Sequence, residues 1–168
     1  MRKIRFGIIG CGLMGREFGS AVARWCHLTE NVATPEIVGV CDYNETATEW
    51  FVDNFNSVKY VTTDYTELLN KDDIDAIYCA LPHNLHGKVY SDIIKAGKHL
   101  LGEKPFGIDA AANETILRAI AENPNVVVRC ASEFPFFPAC RELIKWINEN
   151  RFGKIIEVRA GFNHSSDM

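Results

Sequence analysis

Short apolar runs recur along the chain, each bounded by glycine, proline, aspartate or asparagine. Between them, apolar residues return at three- and four-residue spacing. Runs of the first kind predict buried strands, and the second pattern predicts helices with one apolar face. Residues 4–9 form the first strand, and residues 16–25 follow with helical spacing. A second run, 36–41, stops at Asp42. Asn44 then opens a helix over 44–55 that turns Trp50, Phe51 and Phe55 inward. Residues 58–61 make a weak strand, and Asp64 caps a short helix carrying Leu68 and Leu69. A buried strand over 75–80 ends before Pro82, and a helix over 84–96 ends at Gly97, a left-handed cap position. Residues 99–101 make the next strand. Asp109 caps a helix to about residue 121, with Ala112, Ile116, Leu117 and Ile120 inward, and 126–128 is a sixth strand. Strands alternating with helices at this spacing predict βαβ units and a doubly wound parallel sheet of the α/β class over residues 1–130.

From Ala131 the pattern changes. Residues 134–138 read Phe-Pro-Phe-Phe-Pro, an aromatic connector. Cys140, Leu143, Ile144 and Ile147 then mark an amphipathic crossover helix over 139–148, and residues 154–162 look like one more strand. That strand has no partner in the sequence, and lone edges are unstable. Residues 131–168 therefore read as a connector, a helix and the start of an incomplete second domain.

A chain of 168 residues can bury a sizeable core. Its net charge of −4 gives no basic face for nucleic acid. No apolar run approaches the roughly 20 residues of a membrane span, and the first strand leaves no room for a signal peptide. The six cysteines have neither C-x-x-C pairing nor metal-ligand spacing. Reduced thiols in a cytoplasmic protein without a metal site fit them best.

The most informative chemistry lies where the first strand ends, in Gly10-Cys11-Gly12-Leu13-Met14-Gly15. G-x-G-x-x-G between a strand and a helix is the dinucleotide-binding fingerprint of a Rossmann-type fold. Gly10 permits the tight turn, Gly12 lets a pyrophosphate reach bare backbone, and Gly15 lets the helix lie against the strand. The first helical N–H groups then face the phosphates. A glycine-rich turn without a ligand is the plainer alternative.

Asp42 ends the second strand, where such folds place an acid on the adenosine ribose. It stands thirty residues after Gly12, against the usual ~20, and the stretch 26–35 accounts for the excess. A carboxylate there accepts from both ribose hydroxyls and repels a 2′-phosphate, favouring NAD over NADP. The alternative is an acid that caps the next helix. After the fourth strand, Ala80-Leu81-Pro82-His83-Asn84 and then His86 lie at the carboxyl edge of the sheet, where ligands of open α/β sheets bind. His83 and Asn84 can meet a ribose or nicotinamide, or the two histidines merely shape the helix start. Glu103-Lys104-Pro105 follows the fifth strand at the same edge. A lysine there can stabilise an alkoxide as hydride leaves the carbinol carbon. Alone it reads more readily as a solvated surface lysine.

Together these motifs, in this order and spacing, resemble the N-terminal half of the glucose–fructose oxidoreductase/inositol dehydrogenase (Gfo/Idh/MocA) family. The Glu-Lys-Pro element is the most specific sign. The resemblance implies a two-domain oxidoreductase acting on a secondary alcohol of a sugar, cyclitol or polyol. Lys104 matches the family's active-site lysine, Glu103 and Pro105 pack near the nicotinamide, and the Lys104–Pro105 bond is cis. Homo-oligomers through an α+β substrate domain are implied as well, as is an NAD-dependent glycoside hydrolase as the alternative chemistry. A non-catalytic NAD-binding module is the third reading. Two departures stand out. Pro135 occupies the arginine position of the family's R-x-x-P element, whose proline is Pro138. The acid/base motif Asp-x-x-x-His falls after residue 168, and His164 and Asp167 have the wrong order and spacing to replace it.

Overall fold

The computed structural model describes residues 1–30 and 32–161. It divides into two units, Met1–Ala131 and a second beginning at Ser132. The first unit is a six-stranded parallel sheet: β1 (Arg2–Ile9), β2 (Ala33–Cys41), β3 (Tyr60–Thr62), β4 (Ala76–Cys79), β5 (His99–Glu103) and β6 (Val128–Ala131). Its strand order is β3-β2-β1-β4-β5-β6, so the order reverses beside β1, between β1 and β4. Crevices at such a switch point are where open α/β sheets bind ligands.

Five α-helices connect the strands: α1 (Leu13–Ala23), α2 (Thr46–Asn54), α3 (Tyr65–Leu69), α4 (His86–Lys95) and α5 (Ala110–Glu122). Asp64 and Asp109 cap α3 and α5, accepting from the Thr66 and Ala112 N–H groups. Each such cap satisfies a backbone N–H that the first helical turn leaves without an internal partner. Because strand side chains alternate, the sheet has an apolar layer on each face. One holds Ile9, Ile77, Cys79 and Leu100 with Ile93, Ile94 and Ile116. The other holds Ile8, Val40 and Tyr78 with Val22 and Phe51.

Several boundaries depart from the pattern-based reading. Helix α1 starts at Leu13, immediately after the glycine turn, and a 3-10 turn follows at Trp25–His27. Strand β2 starts at Ala33, so part of the stretch read as an insertion belongs to the strand. The first turn of the 84–96 helix is a separate 3-10 turn, His83–Leu85. The sixth strand lies two residues late, because pairing rather than local hydropathy fixes it: Leu100–Glu103 face Val128–Ala131. On α5, Leu117 is 60% exposed, and the inward position belongs to Ala119, next to Ile116.

In the second unit, a 3-10 turn (Phe134–Phe136) precedes α6 (Pro138–Asn148). The strand expected over 154–162 does not form in 154–161, which have no ladder partner among the described residues; Phe162 lies outside them, as do His164 and Asp167. No described helix is long and apolar enough to cross a membrane.

Candidate functional site

The ends of β1, β2, β4 and β5 converge on one edge of the sheet. Gly10 turns the chain out of β1 at φ +95°, a left-handed conformation that glycine alone adopts freely. A Cβ at Gly10 would lie 2.5 Å from the Ala80 carbonyl oxygen, and one at Gly15 would lie 2.3 Å from that of Gly10. Both are packed backbone to backbone, and neither position admits a side chain. Gly12 differs, since a Cβ there would meet nothing within 4 Å. The fold therefore does not require a glycine at position 12, and the bare surface it leaves is what a ligand would use. Helix α1 begins there with no side-chain cap and no acid in its first turn. Its leading N–H groups and positive dipole end suit an anion. Leu13 and Met14 flank the turn, 66% and 43% exposed.

Asp42 stands opposite. One carboxylate oxygen accepts from the Cys11 N–H at 2.8 Å, and the other accepts from the Asn44 N–H at 3.0 Å. The helix-capping alternative is thus partly right, because Asp42 orders the approach to α2 while Asn44 accepts from the Thr46 N–H. The same carboxylate ties β2 to the glycine turn, which spacing alone does not show. Each oxygen keeps acceptor capacity for a ribose hydroxyl. Cys11 is fully buried, its thiol aimed at the Cys41 carbonyl. Burial first, and then the Asp42 charge and Cys41, push that thiol up to about 12.

The Ala80–Asn84 segment continues from β4, with Ala80 and Leu81 half-buried and Pro82, His83 and Asn84 exposed. His86 lies elsewhere. It is wholly buried, and its two ring nitrogens lie against the carbonyls of Leu81 and Pro105. No atom of its ring is open to a ligand.

Glu103 ends β5 as one of few buried charged residues. The Tyr78 hydroxyl donates to its Oε1 at 2.7 Å, and its Oε2 accepts from the Lys104 N–H at 3.2 Å. Burial and that carboxylate raise Tyr78 well above the ordinary phenol range, so it keeps its proton and remains a donor. Tyr90 donates to the Glu103 carbonyl at 2.9 Å. Lys104 and Pro105 are exposed, joined by a cis peptide bond. Spacing did not single out Tyr78 and Tyr90, because each acts through a partner more than ten residues away.

Known proteins resemble the chain as follows. The Gfo/Idh/MocA model, an oxidoreductase family with an NAD-binding Rossmann fold, matches residues 4–130. A dTDP-3,4-didehydro-2,6-dideoxy-alpha-D-glucose 3-reductase of Actinomadura kijaniata is 28% identical over 159 residues, 95% of this chain and 45% of that protein. An alpha-N-acetylgalactosaminidase of Shewanella oneidensis is 33% identical over 116 residues, 64% of this chain and 24% of that protein. The crystal structure of the WlbA dehydrogenase from Bordetella pertussis, in complex with NADH and UDP-GlcNAcA, superposes with a TM-score of 0.74 at 25% identity. That match covers 90% of this chain and 44% of WlbA. The chain spans less than half the length of these curated relatives.

Proposed function

Because the chain belongs to the Gfo/Idh/MocA family of NAD-binding oxidoreductases, we propose that it is the cofactor-holding part of an NAD-dependent dehydrogenase acting on a secondary alcohol of a sugar, cyclitol or related polyol. The observation that carries this reading is Gly12, bare and facing open space between a clamped Gly10 and a clamped Gly15. In this reading Gly10 to Gly15 hold the diphosphate, and Asp42 accepts from the adenosine ribose hydroxyls. The Ala80–Asn84 segment and Glu103 to Pro105 border the nicotinamide end. The bound nicotinamide supplies the hydride acceptor.

In this reading Lys104 works on the substrate oxygen. Its ammonium is exposed and makes no hydrogen bond among the described residues, while Glu103 and Tyr78 hold its backbone. A cation there would stabilise the negative charge that develops on the oxygen as its proton is taken, and hydride departure then converts that oxygen to a carbonyl. The proton acceptor is assigned to the Asp-x-x-x-His element expected after residue 168. In this reading Asp42 favours NAD, because a 2′-phosphate beside its carboxylate would bring up to two further negative charges. Calorimetric titration should therefore show NAD binding at least about tenfold tighter than NADP, given even one charge-assisted hydrogen bond. Tighter binding of NADP would remove Asp42 from the ribose site.

A second reading, glycoside hydrolysis with NAD retained, is favoured by the 33% identity to the galactosaminidase. A dehydrogenase yields one NADH per substrate oxidised, whereas a hydrolase releases sugar with no net change in NADH absorbance. Assaying the protein extended by its downstream residues distinguishes the two.

A further inference from the structure

His86 heads α4 with no exposed surface. Its Nδ1 lies 2.8 Å from the Pro105 carbonyl oxygen and its Nε2 lies 2.9 Å from that of Leu81. A carbonyl oxygen can only accept, and a neutral imidazole has one N–H to give. In a neutral ring, one nitrogen lone pair would therefore face an oxygen lone pair at under 3 Å, too close for a water to lie between them. Both contacts are hydrogen bonds only if both nitrogens carry hydrogen. Burial opposes a charged ring, and the other titratable group beside it is His83, ring centroids 5.5 Å apart; what offsets that cost is the polar surroundings. Two carbonyl dipoles point at the ring edges, and the ring lies nearly parallel on Tyr90, centroids 4.5 Å apart at 18°. A cation gains from an aromatic face in that position.

The two carbonyls belong to different loops at the sheet edge. Leu81 follows β4, and Pro105 closes the turn that carries Lys104. Tyr90, the ring under His86, also donates to the Glu103 carbonyl. One helix thus holds the Lys104 turn at two points, and His86 joins that turn to the Leu81 loop.

We propose that His86 is a buried imidazolium, donating from both ring nitrogens, and that it is a positioning residue fixing Lys104 relative to the Leu81 loop. The charge assignment stands on the carbonyl geometry alone; the positioning role rests on the reading that a nicotinamide lies between these loops. The test has two arms. In nitrogen-15 spectra of the labelled chain in neutral buffer, both His86 ring nitrogens should show a directly bonded hydrogen. A single N–H would overturn the imidazolium. In binding assays, His86→Gln, whose one amide nitrogen cannot span both carbonyls, should bind NADH about tenfold more weakly, the scale of one charge-assisted bond. Its bound NADH should show an altered emission maximum, while ADP-ribose, which lacks the nicotinamide, binds as before. Unchanged NADH affinity and emission would overturn the positioning role. If the variant does not fold, the wild-type spectrum still decides the charge. If the wild-type chain binds no NADH while His86 shows two N–H groups, the cofactor reading fails and the imidazolium stands.

Discussion

The three glycines of the turn share a letter and differ in what they face. Gly10 and Gly15 are excluded from substitution by backbone oxygens at 2.5 and 2.3 Å, while Gly12 faces open space. Gly15→Ala should accordingly lower the thermal midpoint, since the helix must shift off the turn, and denaturation followed by circular dichroism reads it. The motif told where the turn lies, because its spacing is local. It could not reveal the Asp42–Cys11 bond or the His86 tie, whose partners are 31 and 19 residues distant. Cys11 carries a second prediction. With its thiol buried and raised to about 12, it holds almost no thiolate at pH 8. Iodoacetamide should modify the exposed Cys26 and spare Cys11, Cys41 and Cys79 until the chain is unfolded, as peptide mass spectrometry would show. Native labelling of Cys11 at the rate of Cys26 would mean the turn is open.

Strands and helices were readable wherever hydropathy and burial coincide. Ile8, Ile9, Ile77 and Ile116 are fully buried as their spacing implies. Reading failed where pairing or a missing neighbour decides. Strand β6 follows the register of β5, and the apolar residues of α6 (Leu143, Ile144 and Ile147) stay 43–47% exposed within their own unit. One contact between elements responds to pH. Arg5 makes two side-chain bonds to Asp75, at 3.0 and 2.6 Å, joining β1 to the entry of β4. The Arg5 side chain is the main reason the Asp75 carboxyl titrates below its ordinary range. A carboxyl depressed in the folded state stabilises the fold fully above its unfolded value, about 3.9, and loses that contribution as pH falls through the folded one. The urea midpoint should thus fall more steeply below about pH 4 for the wild type than for Asp75→Asn. Equal slopes would show that the pair adds nothing.

On the scale of the molecule, the parallel sheet and its ligand-bearing edge were legible because every βαβ unit repeats the same signals. The substrate was not, since the chain spans less than half of its matched relatives and specificity contacts need not lie in this part. The proposed division of labour predicts that the 168-residue chain binds cofactor without turning over sugars or polyols, and that a form extended downstream does turn them over. In that extended form, Lys104→Ala should lower kcat at least about a hundredfold, in line with losing one preorganised charge at the reacting oxygen, with NAD affinity little changed. Steady-state NADH absorbance reads both. Turnover by the short chain would place the proton acceptor within it.

If main-chain amides around Gly12 grip a diphosphate, one titration shows it directly: NAD added to the wild-type chain and to Gly12→Ala, each with its thermal midpoint measured. The wild type should bind saturably, and the variant should melt at the same temperature but bind at least about tenfold more weakly, because the added methyl fills only the ligand's space. Equal affinity of the two chains, or no binding by a folded wild type, would contradict it.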